Sequence, residues 1–159
     1  MLTVGDDLKD FKVESLQGTI NLSDFAGKYL VLFFYPKDDT PGCSNENQQF
    51  KNLYEEFKQL NTEVIGVSRD SIALHEHFVR KYDLPFNLIS DEDSKLCELF
   101  GVLQEKSSFG RKSKGVVRSS FLISPEQKII KEWRDVKVEG HAHAVYNLIA
   151  ELEDTKQEQ

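Results

Sequence analysis

Apolar residues along this chain follow two periods that succeed one another. Tyr29-Leu30-Val31-Leu32-Phe33-Phe34-Tyr35 is an unbroken run of aliphatic and aromatic residues, long enough for a strand covered on both faces, and Pro36 stops it. From Phe50 the apolar positions fall three and four apart (Phe50, Leu53, Tyr54, Phe57, Leu60), which predicts an amphipathic helix with one buried face. Glu63-Val64-Ile65-Gly66-Val67-Ser68 then reads as a second strand. Strand, helix and strand in that order predict a parallel pair.

The flanks are read the same way. Leu2 to Leu22 alternates briefly around a Gln17-Gly18 turn, a small N-terminal hairpin, and Ser23 to Lys28 is a short helical turn ended by Gly27. Ser71 to Tyr82 has helical spacing closed by Leu84-Pro85, and Phe86 to Ser90 is a short strand. A helix carrying Leu96, Cys97, Leu99 and Phe100 is capped by Ser90 or Asp91 and closed by Gly101. Gln104 to Gly115 reads as a loop. Arg118–Ile123 and Lys128–Trp133 flank Ser124-Pro125-Glu126-Gln127 as an antiparallel hairpin. Gly140 opens a last helix with the stripe Val145, Leu148, Ile149 and Leu152. The expected organisation is one domain over 1–152 and a polar tail over 153–159 that frays. The order of elements is that of a thioredoxin-like α/β fold, a central mixed sheet flanked by helices.

Composition narrows the function. In 159 residues, 39% hydrophobic with 11% aromatic fill a single core, and a net charge of −7 opposes nonspecific binding to nucleic acid or to anionic membranes. The N-terminal stretch has no basic region followed by an apolar one, and no run reaches membrane-spanning length. Two cysteines far apart in sequence make a poor disulfide framework, so the expectation is reduced thiols in the cytoplasm.

One of those thiols sits at a special place. Thr40 fits as an N-cap and Pro41 as the first helical residue, so Cys43 falls in the first turn of the helix that follows the central strand. Unpaired N–H groups and the positive end of the helix dipole there favour a thiolate over a thiol. A lone cysteine commonly ends as an inert core residue. A polar turn containing proline and glycine argues against that here. The site lacks the Cys-x-x-Cys of dithiol redox proteins, since Glu46 stands three residues after Cys43. Arg118, at the start of an apolar strand, could equally be a surface residue paired with an acid.

Pro36, Thr40 and Cys43 spell Pro-x-x-x-Thr-x-x-Cys, and Phe34-Tyr35-Pro36-Lys37-Asp38-Asp39-Thr40-Pro41-Gly42-Cys43 closely resembles the bacterioferritin comigratory protein (PrxQ) branch of the peroxiredoxins. The resemblance continues through Ser90-Asp91-Glu92-Asp93, Phe100-Gly101-Val102 and Gly115 to Ile123, nearly the whole chain. It implies a peroxidatic Cys43, with Thr40 and Arg118 orienting and stabilising the peroxide and Pro36 shielding the sulfur. Glu46 would support the arginine or the first helical turn. The substrates implied are hydrogen peroxide and alkyl hydroperoxides, and the reductant thioredoxin or a glutaredoxin/glutathione system. No metal, flavin or haem is called for.

The chain also departs from that branch. Many members carry a resolving cysteine five residues after the peroxidatic one, where this chain has Gln48. Cys97, between Leu96 and Phe100, reads as a buried structural cysteine, with resolution after local unfolding as the other reading. His75 and His77, and His141 and His143, each lie two apart, which does not suit zinc ligation on one helix face. Lys106, Arg111, Lys112 and Lys114 make a basic patch that could steer an acidic reductase. The reading is a monomeric thiol peroxidase, against the alternative of a one-cysteine peroxide sensor or chaperone-like redox protein.

Overall fold

The computed structural model describes residues 1–157. The strands are β1 (Lys12–Ser15), β2 (Gly18–Asn21), β3 (Tyr29–Phe34), β4 (Thr62–Ser68), β5 (Leu88–Ser90), β6 (Leu103–Ser108), β7 (Arg111–Val116), β8 (Ser119–Ile123) and β9 (Ile129–Trp133). The α-helices are α1 (Pro41–Gln59), α2 (Ile72–Tyr82), α3 (Lys95–Leu99) and α4 (His141–Gln157), with a 3-10 turn at Leu22–Phe25. Seven strands form one mixed sheet in the order β2-β1-β5-β4-β3-β8-β9, parallel at β5-β4-β3, and β6-β7 stand apart as a pair. This is the thioredoxin-like architecture, with the N-terminal hairpin added at one edge.

Every residue of β3 is buried, because successive side chains go to opposite faces and both faces are covered. Leu30, Leu32 and Phe34 join Ile65, Val67, Phe121, Leu96, Cys97 and Phe100 on one side. Val31, Phe33 and Tyr35 join Phe50, Phe57, Phe78, Val145, Ile149 and Cys43 on the other. The stripe predicted for α1 holds, with Phe50, Tyr54 and Phe57 buried and Leu53 and Leu60 half-buried against them.

Four sequence expectations need correction. The segment Gln104–Gly115 is mostly hairpin, β6 paired with β7, and its strands give little apolar alternation because neither packs broadly on the core. The short strand at Phe86–Ser90 begins only at Leu88. At α3 the N-cap is Ser94, in the left-handed region at φ 63°, and Ser90 precedes it by a turn. Asp91 still serves the helix, accepting from the N–H groups of Leu96 and Cys97 at 2.9 and 2.8 Å. The last helix continues past Glu153 to Gln157, where Lys156 lies over the Tyr29 ring at 5.0 Å and holds the final turn to the start of β3; residues 158 and 159 lie outside the described residues.

Gly66, central in β4, marks how closely this sheet is packed. A Cβ there would stand 2.7 Å from Leu88 Cδ2 and 2.9 Å from Phe33 Cζ, both on fully buried side chains. Gly66→Ala is expected to overpack the site and cost about 1–3 kcal/mol. The check is a lower urea midpoint with an unchanged slope; a midpoint at the wild-type value would show that the core yields here.

Candidate active site

The site is built where β3 ends. Proline has no N–H to continue a sheet, so the chain leaves β3 at Pro36, crosses a short loop and enters α1 at Pro41. Thr40 is the N-cap with extended backbone, and its hydroxyl donates to the Lys37 carbonyl at 2.8 Å, bracing the loop and leaving the first-turn N–H groups unclaimed by it. Cys43 follows in the first turn, 1% exposed. Pro36 is exposed at the rim, beside the exposed Lys37.

Arg118 arrives from far along the chain by strand register. β8 pairs antiparallel with β3, with Ser119 opposite Phe34, so Arg118 falls beside the loop that leaves β3. Its Nη2 donates to Cys43 Sγ at 3.4 Å, and its Nη1 donates to Glu46 Oε1 at 2.7 Å. Glu46 lies three residues along α1 from Cys43, on nearly the same helix face. Gly42 makes the approach feasible, since a Cβ there would stand 3.1 Å from Arg118 Nη2. Thiol, guanidinium and carboxylate thus form one small group.

Glu46 is 1% exposed, and its Oε2 has no hydrogen-bond partner among the described residues. Burial pushes its carboxyl up from 4.5 to about 7, against the opposing pull of Arg118. Below the group, His141 opens α4, with Nε2 2.7 Å from Ser120 Oγ and its ring edge-on to both Phe50 and Trp133. Burial first, and then the Arg118 charge, lower its pKa to about 4, so it is neutral at physiological pH. The two-residue spacing of His141 and His143 gave no sign that the first is buried against Phe50, Trp133 and Ser120 and the second exposed.

Cys97 is not brought to this group. It is fully buried on the other side of the sheet, and burial together with the neighbouring Asp91 carboxylate raises its thiol far above the ordinary range. Neither cysteine is in a disulfide. Gln48 is exposed on α1 and turned to its own helix, donating to the Ser44 carbonyl at 3.2 Å.

A thiol at a helix start on a thioredoxin-like sheet, facing a guanidinium with no second thiol nearby, is an arrangement suited to thiol redox chemistry. The sequence model of the AhpC/TSA family matches residues 4–132. The chain is 42% identical over 154 residues to peroxiredoxin Bcp of Bacillus subtilis, covering 96% of this chain and 98% of that one. The crystal structure of a Xylella fastidiosa PrxQ mutant superposes with a TM-score of 0.91 at 40% identity, covering 96% and 98% of the two chains. The Xanthomonas campestris bacterioferritin comigratory protein superposes at 0.85 with 41% identity, covering 88% and 90%. The chain therefore belongs to the AhpC/TSA family and, within it, to the Bcp/PrxQ peroxiredoxins, thiol-dependent peroxidases that act on hydroperoxides.

The Glu46 carboxyl gives a signed test of this electrostatic arrangement. Its proton is held more tightly in the folded than in the unfolded protein, so its contribution to stability is most favourable below about pH 4.5 and is lost as pH rises to about 7. At about 1.4 kcal/mol per tenfold, the loss is about 3 kcal/mol. Glu46→Gln, which cannot ionise, should flatten the difference in unfolding free energy between pH 5 and pH 8 by about 2–3 kcal/mol. Urea unfolding at the two pH values checks it, and an unflattened difference refutes the buried, raised carboxyl.

Proposed function

We propose that Cys43 is the peroxidatic thiol, with Thr40 and Arg118 holding the peroxide and Pro36 limiting water at the rim. The observation that carries this is the 3.4 Å contact of Arg118 Nη2 with Cys43 Sγ in the first turn of α1. The thiolate attacks one peroxide oxygen, the O–O bond breaks, and the other oxygen leaves as alkoxide or hydroxide and takes up a proton. Sulfur is oxidised to sulfenic acid and the peroxide reduced to an alcohol or water. Negative charge spreads over both oxygens in the transition state, where the guanidinium and the Cys43 N–H can meet it, joined by the Thr40 hydroxyl when it turns from the Lys37 carbonyl. Glu46 holds the guanidinium in place. The Xanthomonas campestris relative is described by its alkyl peroxide reduction activity, and we extend that substrate class, with hydrogen peroxide, to this chain.

Resolution is intermolecular on this reading. Gln48 offers no thiol, and Cys97 lies across the sheet. An external thiol condenses with the sulfenic acid, releasing water and forming a mixed disulfide, and a second thiol then releases reduced Cys43. Thioredoxin or a glutaredoxin/glutathione system in the cytoplasm fits that need, and the chain would work as a monomer. Docking would use the β6–β7 hairpin, which leads directly through Val117 into Arg118. It exposes Lys106, Arg111, Lys112 and Lys114, carries an exposed Phe109 at its tip, and is tied to the body where Arg69 donates to the Lys114 carbonyl at 2.8 Å.

Cys43→Ser should abolish peroxide consumption, and Arg118→Ala should slow Cys43 oxidation about 10²-fold or more. Stopped-flow kinetics decides both, and full activity in either variant removes its assigned role. A sensor would be oxidised once per chain without turnover. Reversing the charges of Lys106, Arg111, Lys112 and Lys114 together should cut low-salt turnover with thioredoxin about tenfold while leaving the peroxide step alone. Unchanged turnover would mean the hairpin is not the docking element.

A further inference from the structure

The loop that presents Cys43 is gripped from below by a buried polar network that the peroxide chemistry above does not use. Asp38, in the middle of that loop, is buried. Its N–H donates to Asp70 Oδ2 at 2.9 Å, and Ser68 Oγ donates to the same oxygen at 2.6 Å. Its own carboxylate accepts from the Tyr35 hydroxyl at 2.6 Å through Oδ1 and meets His75 Nδ1 at 2.5 Å through Oδ2. The other ring nitrogen of His75, Nε2, lies 2.9 Å from the Ile89 carbonyl.

The protons follow from these partners. A carbonyl oxygen only accepts, so Nε2 carries a hydrogen. A bare Nδ1 lone pair facing a carboxylate would be repelled, so a second proton lies between Nδ1 and Asp38. The pair is buried, with side chains 0% and 4% exposed, and shares one short hydrogen bond. His75, Asp38 and Asp70 bring ligand-type atoms within 4.8 Å of one another, but both histidine nitrogens are already committed inside the protein.

We infer that His75 is a positioning residue for peroxide reduction. Through Asp38 it fixes the 36–40 loop against α2 and β5, and so sets where the Thr40 hydroxyl and the first turn of α1 stand relative to an incoming O–O bond. A buried pair of this kind holds its geometry firmly, because separating the partners leaves unpaired polar atoms stranded in the core. A second link from the loop to α2, Asp39 with Lys81 at 2.8 Å, is partly exposed on both sides and holds far less. The inference rests on Cys43 being the peroxidatic thiol.

The test compares two reactions of the same sulfur. Oxidation by hydrogen peroxide needs the thiolate and the aligned donors, whereas alkylation by iodoacetamide needs only the thiolate. In His75→Gln the rate constant for peroxide oxidation should fall 10- to 100-fold, the scale of a misplacement of about 1 Å. Alkylation, read by mass at the Cys43 peptide, should stay within threefold. Asp38→Ala removes the loop's end of the same contact without stranding a carboxylate and should show the same split if His75→Gln does not fold. Lys81→Ala should leave both rates within twofold. A wild-type ratio of the two rates in a folded His75 or Asp38 variant overturns the inference, as does an equal fall in both, which would place the effect on the thiolate itself. Failure of the unsubstituted protein to oxidise at Cys43 would instead overturn the reading beneath it.

Discussion

A strand whose every side chain must leave water needs a layer of apolar residues on each side of it, and β3 imposes that need on the rest of the chain. α1, α2 and α4 meet it on one face, and α3 with the N-terminal segment meets it on the other. The central position of β3 then fixes two junctions at its carboxyl end. Its own continuation becomes the loop into α1, and its antiparallel neighbour β8 begins beside it. The thiol and the guanidinium, 75 residues apart, meet because the loop leaving β3 and the start of β8 are neighbours at the same end of the sheet.

Electrostatics around this junction is arranged in two tiers. Above the sheet end, Arg118 is shared between the sulfur and Glu46, a carboxylate whose burial makes its charge expensive. Below the loop, His75 and Asp38 are hydrogen-bonded to one another and also at the second ring nitrogen and the second carboxylate oxygen. The upper tier is left incomplete, with no partner for Glu46 Oε2 among the described residues. The lower tier is saturated, as suits a support.

What could be read from the sequence divides by the range of the interaction. The β3 run, the Pro36 stop and the Thr40-Pro41 helix start are written in neighbouring residues, so the placement of Cys43 was legible. Arg118 was legible as a residue at a strand start, but its meeting with Cys43 depends on the β3–β8 register, which no local pattern states. The β6–β7 pair escaped notice because an exposed two-stranded ribbon has no buried face to print alternation into the sequence. His75 looked like any helix residue, since its partners are Asp38, 37 residues before it, and a backbone carbonyl that carries no side-chain signature. Lys156 extends α4 through the ring of Tyr29, a contact that polarity along the tail conceals.

The seven-stranded sheet stands between the two sulfurs of this protein, with Cys43 packed on one face and Cys97 on the other. On the proposed mechanism, a sulfenic acid at Cys43 has no internal thiol to close upon while the fold is intact. Its lifetime becomes a property of the surroundings, set by how much reducing thiol reaches the rim before a second peroxide carries the sulfur on to the sulfinic state. Enzymes with a thiol of their own within reach carry their protection with them. On the proposed mechanism this one borrows it, and its survival through an oxidative burst is tied to the thiol supply around it.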